Sequence, residues 1–143
     1  MANENSYNRR DANLEETKAL PADAGAGNAT SIDAFDLGSA HEAFLAPCEL
    51  ELEAPALGTT PLPDGTEIHY DVEDSADDSS YAVIAADVIV QTGAGGAGAA
   101  AATERFRLPS NVRRYVRVTA EGDDGTGTLG DCSGSSMTAR IVT

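Results

Sequence analysis

The sequence has no tryptophan, only two cysteines and few aromatic residues, and these scarcities narrow the range of folds. Aromatic residues make up 5% of the 143 residues, so the core must be built mainly from small and β-branched side chains. Such side chains suit the packing of one sheet on another better than a deep ligand cavity. Cys48 and Cys132 are too few and too far apart for a disulfide framework or a zinc site. We expect two free thiols, which would pair only if the last strand lay beside Cys48.

Positive charge is also scarce. The chain has 9 Lys and Arg against 24 Asp and Glu, which gives a net charge of −15, and neither Lys nor Arg occurs between Lys18 and Arg105. An acidic surface repels the phosphates of nucleic acids and anionic lipid headgroups, so we expect neither nucleic acid nor membrane as a partner. No stretch approaches the roughly 18 apolar residues of a membrane span. The N-terminus also lacks the apolar segment of a secretory signal, so we expect synthesis in a cytoplasm.

Side chains that could carry catalysis are few. A general base near neutral pH would have to be His41 or His69, and neither has a nucleophile and an acid at a recognisable spacing. Acidic stretches at residues 71–78 and 121–131 offer oxygen ligands for calcium but do not match the EF-hand spacing, which favours solvated turns. We therefore predict a non-enzymatic protein with no catalytic residue, no metal and no cofactor.

Apolar and polar side chains alternate along most of the chain after residue 31, which is typical of half-buried strands. In the clearest case, Leu50 and Leu52 alternate with Glu49, Glu51 and Glu53. The same period predicts strands near residues 66–72, 105–108, 114–120 and 137–141. The continuously apolar stretch 81–90 instead predicts a central strand that is covered on both faces. Together these strands predict an all-β fold, a single antiparallel β-sandwich or jelly roll, over residues 28–143.

Residues 1–27 have the composition of an extended N-terminal arm, because they are polar and end in the breaker-rich PADAGAG. Asp11 could cap one short helix that runs through Ala19, although a helix of that length is marginal in water. An arm of this kind is expected to become ordered only against a partner and to tether a neighbouring subunit. The residues expected to make these intersubunit contacts are Tyr7, Arg9, Arg10, Leu14 and Leu20.

Five of the basic residues lie close together in the sequence. Any one of them could face solvent or form a local salt bridge. As a cluster on an otherwise acidic chain, they are the best candidates for docking onto an acidic partner surface. They are Arg105, Arg107, Arg113, Arg114 and Arg117.

Two segments resemble a family of jelly-roll capsid cement (decoration) proteins from podovirus-type tailed bacteriophages. The first is the Asp36-Leu37-Gly38 turn in SIDAFDLGSA, and the second is the Leu-Pro and RRYVRV of RFRLPSNVRRYVRVTAEGD. The resemblance spans residues 31–143. It implies a structural protein that binds the outer surface of a capsid and bridges subunits of the major capsid protein. It also implies self-association as a dimer or trimer at local symmetry axes and a location on the virion.

A carbohydrate- or receptor-binding β-sandwich of a tail fibre or adhesin is the alternative. Such a module is expected to present a row of exposed aromatic rings for stacking on sugars. Because tryptophan is absent, tyrosines would have to form that row. The candidates are Tyr70, Tyr81 and Tyr115.

Overall fold

The computed structural model describes residues 10–22, 28–38, 48–123 and 128–142, with side chains described from residue 14 onward. Within them the backbone forms two antiparallel sheets and no helix. Sheet A has the strand order β1-β9-β4-β7, with β1 (Arg10–Ala19), β9 (Ser136–Val142), β4 (Glu49–Ala54) and β7 (Ala102–Arg107). Sheet B has the order β2-β8-β5-β6, with β2 (Ala29–Ser31), β8 (Tyr115–Asp123), β5 (Glu67–Ser75) and β6 (Ala82–Thr92). The short β3 (Phe35–Asp36) also pairs with β8.

The order of the strands is that of a jelly roll. When β2 and β3 are counted as one interrupted strand, each sheet has four strands, and the chain crosses repeatedly from one sheet to the other. Such double-sheet folds bury one face of each sheet against the other. The predicted all-β antiparallel sandwich is therefore confirmed.

The core lies between the two sheets and follows the period-two pattern of the sequence. Leu50 and Leu52 of β4 are fully buried, as are Ile68 and Val72 of β5. Alternate positions point outward, because successive side chains of a strand face opposite sides of its sheet. The outward faces of the two sheets carry many of the charged residues.

One buried polar group joins the two sides of the core. The hydroxyl of Tyr70 donates a hydrogen bond to Oε1 of Gln91 at 2.8 Å, and both side chains are buried. Nε2 of Gln91 donates to the carbonyls of Pro55 and Ala100 at 2.7 and 2.8 Å. The amide of Gln91 is thus hydrogen-bonded through both ends, which removes the cost of burying it.

The helix predicted from Asp11 through Ala19 is wrong, because Arg10–Ala19 forms strand β1. This strand pairs with β9 from Arg10 opposite Val142 to Ala19 opposite Ser136, so residues of the predicted arm belong to sheet A. The pairing comes from the backbone of a strand more than a hundred residues away. Local composition cannot reveal such a distant partner, since β1 is a polar strand at the edge of the described part of sheet A.

The residues expected to tether a neighbouring subunit also need correction. Leu20 is 2% exposed and Leu14 packs against the same core, so both contact their own domain. The backbone of Arg10 starts β1. Tyr7, Arg9 and the side chain of Arg10 lie outside the described residues.

The position predicted for the apolar strand at residues 81–90 is wrong as well. Among the strands that the structure describes, β6 lies at the edge of sheet B and pairs with β5 alone. Val83 and Val90 are 50% and 42% exposed. A continuous apolar run predicts burial on both faces only if another strand or sheet covers it, and the sequence of the run does not contain that information.

The glycine- and alanine-rich stretch 93–101 packs against its own chain. Leu57 and Ala99 exchange two backbone hydrogen bonds of 2.9 Å. Gly98 has φ +70°, and a Cβ there would collide with the backbone of Leu57 and Gly58. The stretch therefore closes one end of the sandwich by direct backbone contact.

The two cysteines are free and buried. Cys132 is 1% exposed and Cys48 is 7% exposed. Burial raises the pKa of the Cys132 thiol to about 11, so the thiol stays protonated near neutral pH.

Candidate interaction surfaces

The outer face of sheet A carries a row of alternating charges that crosses all four strands. Strand pairing places Glu15 opposite Arg140, Arg140 opposite Glu51, and Glu51 opposite Arg105. Opposite charges that face each other on neighbouring strands attract. We call these four residues the charged row.

Ion pairs connect each neighbouring pair in the charged row. Nε of Arg140 lies 2.9 Å from Glu15, and Nη1 lies 2.6 Å from Glu51 and 2.7 Å from Glu53. Nη2 of Arg105 completes the row at 2.7 Å from Glu51. The hydrogen bonds that Arg140 donates to Glu53 and Glu51 outweigh the effect of burial and raise the pKa of Arg140. The row therefore holds the four strands in one register on their outer face.

Arg113 is held by a buried carboxylate at the end of β5. Its backbone N–H and its Nε donate to the two oxygens of Asp74 at 2.9 and 2.7 Å, and Nη2 donates to the Asp74 carbonyl at 2.6 Å. Asp74 is 3% exposed, so Arg113 supplies the counter-charge and hydrogen bonds that its buried carboxylate needs. Arg113 is thus engaged in fixing the loop that precedes β8.

Arg114 forms a two-bond pair with Asp36, the first residue of the Asp-Leu-Gly turn. Nε and Nη2 each lie 2.7 Å from an oxygen of Asp36. The N–H of Gly38 also donates to Asp36 at 2.8 Å, and Gly38 has φ +79°, which favours glycine. The hydrogen bonds from Arg114 and Gly38 lower the pKa of Asp36 to about 2.

Arg117 lies on the outer face of sheet B. Its Nε donates to Glu73 at 2.7 Å, and its guanidinium lies over the ring of Tyr81, 3.7 Å from the centroid. Thr119 donates to the same Glu73 oxygen at 3.0 Å. A cation over an aromatic face adds attraction to the ion pair.

The five arginines expected to form one docking cluster do not form a single patch. Arg105 and Arg107 lie on β7 of sheet A, whereas Arg117 lies on β8 of sheet B and the other two precede β8. Four of them are paired with carboxylates of their own chain. Arg107 is exposed and has no ion pair within the described residues. It is the arginine of the five that is best placed to reach another molecule.

His69 stands between two carboxylates on the outer face of sheet B. Its Nδ1 lies 2.7 Å from Asp87, and its Nε2 lies 3.2 Å from Glu67. Burial lowers the pKa of His69, but the hydrogen bond to Asp87 and the two negative charges outweigh it and raise the pKa above 6.5. His41 lies outside the described residues.

The acidic stretch at residues 71–78 consists of the end of strand β5, up to Ser75, and the bend that follows it. Asp77 accepts hydrogen bonds from the backbone of Ser79 and Ser80, which lowers its pKa. Asp74 and Glu73 are paired with arginines, as described above. Within the described ranges, no group of three or more His, Cys, Asp or Glu side chains could hold a metal ion. None of the described residues forms a helix that could cross a membrane.

An open cleft of about 310 Å³ lies beside the charged row on sheet A. Three hydroxyls and one carboxylate line it, from Thr103, Ser136, Thr138 and Glu53. Such groups can exchange hydrogen bonds with a small polyhydroxylated ligand.

The three tyrosines considered for a sugar-stacking row do not form one. Tyr70 is fully buried, the guanidinium of Arg117 lies over Tyr81, and the guanidinium of Arg114 lies 5.1 Å from the ring centre of Tyr115. An exposed aromatic platform is therefore not formed by these residues.

Arg140 is the functional feature that the sequence analysis missed. It is the one basic residue after Arg117, and it alternates with buried Ala139 and Ile141 in the last strand. That alternation places it on an outer face. Its three carboxylate partners, however, come from β1 and β4, which are distant in sequence.

Comparisons with known proteins give distant structural likenesses. No protein-family model matches the chain, and the search of curated proteins finds no match. A chain of the empty virus-like particle of Cowpea Mosaic Virus is 10% identical with a TM-score of 0.41, covering 90% of this chain and 76% of that one. Eiger TNF from S. frugiperda is 8% identical with a TM-score of 0.39, covering 95% and 88%. A family 16 carbohydrate-binding module is 12% identical with a TM-score of 0.32, covering 87% and 82%. These values carry no argument about function.

Proposed function

We propose that the protein is a capsid cement protein that binds the outer surface of a tailed-phage capsid. It bridges subunits of the major capsid protein, associates with further copies of itself, and stabilises the shell without catalysis. Because it binds the assembled shell and not free subunits, binding shifts the equilibrium toward the assembled state. Neither nucleic acid nor a membrane is among the proposed partners.

The charged row on sheet A is the observation that supports a mechanical role for this protein. Sliding one strand along its neighbour would separate Arg140 from Glu51 and Glu15, whose contacts are 2.6 and 2.9 Å. Loss of one partner from a buried ion pair costs about 3–5 kcal/mol. The row thus opposes shear between strands, which is the load on a protein that bridges two subunits of a pressurised shell.

The capsid as the partner is supported by the resemblance of two segments to cement proteins. These segments hold the Asp36–Arg114 pair and the strand that contains Arg117, so both contribute to the framework of sheet B. The other four arginines of the cluster are paired with carboxylates, whereas Arg107 is exposed on the edge strand β7. We infer that Arg107 contacts an acidic site on the capsid surface.

Sedimentation with undecorated shells tests the proposal. Purified protein is mixed with shells assembled from the major capsid protein of the encoding virus, and the bound fraction is measured across protein concentrations. We expect saturable binding that Arg107→Gln weakens about tenfold, as removal of one charge-assisted contact predicts. Lys18→Gln is the matched control, because it removes one exposed charge from β1 at the opposite edge of sheet A. Absence of the protein from the shell pellet at every concentration contradicts the proposal.

The hydroxyl-lined cleft favours a second candidate function, binding of a carbohydrate or glycosylated receptor. Thr103 and Thr138 line this cleft together with Glu53. In that case the protein would bind immobilised glycans, and replacement of both threonines by valine would abolish the signal. Glycan binding without shell binding would favour this candidate over the cement proposal.

A further inference from the structure

Strand β6 is an unprotected edge of sheet B. Its 11 residues pair with β5 on one side, and no other described strand pairs with its far side. It contains one charged residue, Asp87, and neither lysine nor proline. Edge strands usually carry such residues because a free row of backbone N–H and C=O groups can pair with another chain. The opposite sheet shows this protection, since edge strand β7 carries Glu104, Arg105 and Arg107.

The large hydrophobic side chains that are exposed in the described part of the chain both lie on β6. Val83 is 50% exposed and Val90 is 42% exposed. Strand pairing places Val83 opposite Glu73 and Val90 opposite His69, which are outward positions of β5. Both valines therefore stand on the outer face of sheet B, beside the free edge.

We propose that β6 pairs in antiparallel fashion with β6 of a second copy of this chain. The two sheets B would then join into one continuous sheet across a two-fold axis. The pairing would satisfy the free backbone groups of both edges and cover the exposed valines. The interface is distinct from the Arg107 site, because β6 and β7 belong to different sheets.

The spacing of the two valines identifies a second copy as the partner. They lie at equal distances on either side of the midpoint between Ala86 and Asp87. With the two-fold axis at that midpoint, Val83 faces the partner's Val90, and Val90 faces the partner's Val83. Residues directly opposite in an antiparallel pair share a face, so each exposed valine meets an exposed valine.

The irregular centre of β6 is compatible with this register. The pairing with β5 shifts twice, between Tyr70 and Val72 and between Val72 and Glu73. The first shift lies opposite Asp87, which has φ 56° and borders the proposed axis, and the second lies opposite Ile84, next to Val83. The backbone near the axis need not pair regularly, and the valine-bearing ends of the strand supply the contacts between the copies. The axis also brings two Asp87 carboxylates near each other. Each chain carries −15 charges, so we expect association to strengthen as salt is added.

Disulfide cross-linking tests both the partner and the register. Val83→Cys and Val90→Cys are made as separate variants. The unmodified chain is the control for cross-linking through the native cysteines, Cys48 and Cys132, which are buried. Facing residues have Cβ atoms about 4.5–5.5 Å apart, which a disulfide can span after a small shift. Two copies of the same variant would hold their cysteines roughly 13 Å apart, because Glu73 and His69, which face these two positions on β5, are four residues apart at about 3.3 Å each.

We expect a covalent dimer when the two cysteine variants are mixed and oxidised, and monomer when either is oxidised alone. Cross-linking of each variant alone to the same extent as the mixture, or no cross-link in the mixture, would overturn the proposal.

Sedimentation equilibrium measures the strength of the dimer independently. Val83→Lys should weaken the dimer at least tenfold, whereas Thr103→Lys on β7 should not. Both measurements use the protein without capsids, so their failure leaves shell binding untouched.

Discussion

Arg140 and Glu51 form an ion pair on the outer face of sheet A that is almost as buried as the hydrophobic core. Nη1 of Arg140 lies 2.6 Å from Oε1 of Glu51, and the two side chains are 9% and 4% exposed. Arg140 also contacts Glu15 and Glu53, and Glu51 also contacts Arg105. Removal of one partner from such a pair strongly lowers the stability of the fold, because the remaining buried charge is left without a counter-charge.

Replacement of Arg140 by glutamine should destabilise the fold. It leaves Glu51 buried without its guanidinium partner, which typically lowers the free energy of unfolding by about 3–5 kcal/mol. Urea denaturation of the two proteins measures this difference. Arg107→Gln is the control, since exposed substitutions of this kind usually change stability by no more than about 0.5 kcal/mol. Equal effects of the two substitutions would show that the charged row does not hold the strands together.

Gly98→Ala should destabilise the closed end of the sandwich. The new Cβ would collide with the backbone of Leu57 and Gly58, and φ at this position is +70°. Overpacking of this kind costs roughly 1–3 kcal/mol in addition to the cost of the left-handed conformation. Thermal unfolding monitored by circular dichroism measures the loss.

Gly96→Ala separates the two contributions to the Gly98 result. Gly96 has φ +68° but nothing within 4 Å of the added Cβ, so it reports the conformational cost alone. That cost is about 1–2 kcal/mol. Equal destabilisation by the two substitutions would mean that the close contact of residue 98 with Leu57 does not contribute.

His69 should make stability depend on pH. Its folded pKa lies above the unfolded value of 6.5, so its contribution is complete below 6.5 and is lost as the pH rises through the folded pKa. The free energy of unfolding of the unmodified protein should exceed that of His69→Gln below pH 6.5. We expect this difference to shrink as the pH rises from 6.5 through the folded pKa. Urea denaturation at a series of pH values measures the difference. A difference that stays constant with pH would contradict the pairing of His69 with Asp87.

Asp36 should titrate far below an ordinary carboxyl group. Its folded pKa of about 2 lies below the usual 3.8, so its contribution to stability is present above 3.8 and is lost as the pH falls through 2. Carbon-detected NMR of the side-chain carboxyl measures the midpoint. Arg114→Gln should raise that midpoint, because it removes the larger cause of the shift. An unchanged midpoint in this variant would contradict the role of Arg114.

The sequence pattern predicted the strands well where one face is buried. Leu50 and Leu52 alternate with glutamates, and this pattern fixes both the strand and the face that it turns inward. The turn at Asp36–Gly38 was expected from the resemblance to cement proteins, and its glycine and aspartate suit the observed backbone and hydrogen bond. These features depend on residues that are near each other in the chain.

The features that the sequence did not predict depend on distant partners. Strand β1 forms because β9 offers it a sheet edge, and Arg140 is buried because Glu15 and Glu51 meet it there. The arginines at 105–117 are neighbours in sequence, yet β7 and β8 carry them to different sheets. Likewise, the composition of β6 indicates a strand but not that it lies at an edge.

The proposed stabilisation of a capsid is tested most directly by heating shells. Shells assembled from the proposed partner, a tailed-phage major capsid protein, are heated with and without saturating amounts of this protein, and their disruption is followed by light scattering. We expect disruption at a higher temperature when the protein is bound, with a smaller increase for Arg107→Gln at the same concentration. An unchanged disruption temperature at saturating protein would contradict the claim that the protein stabilises the shell.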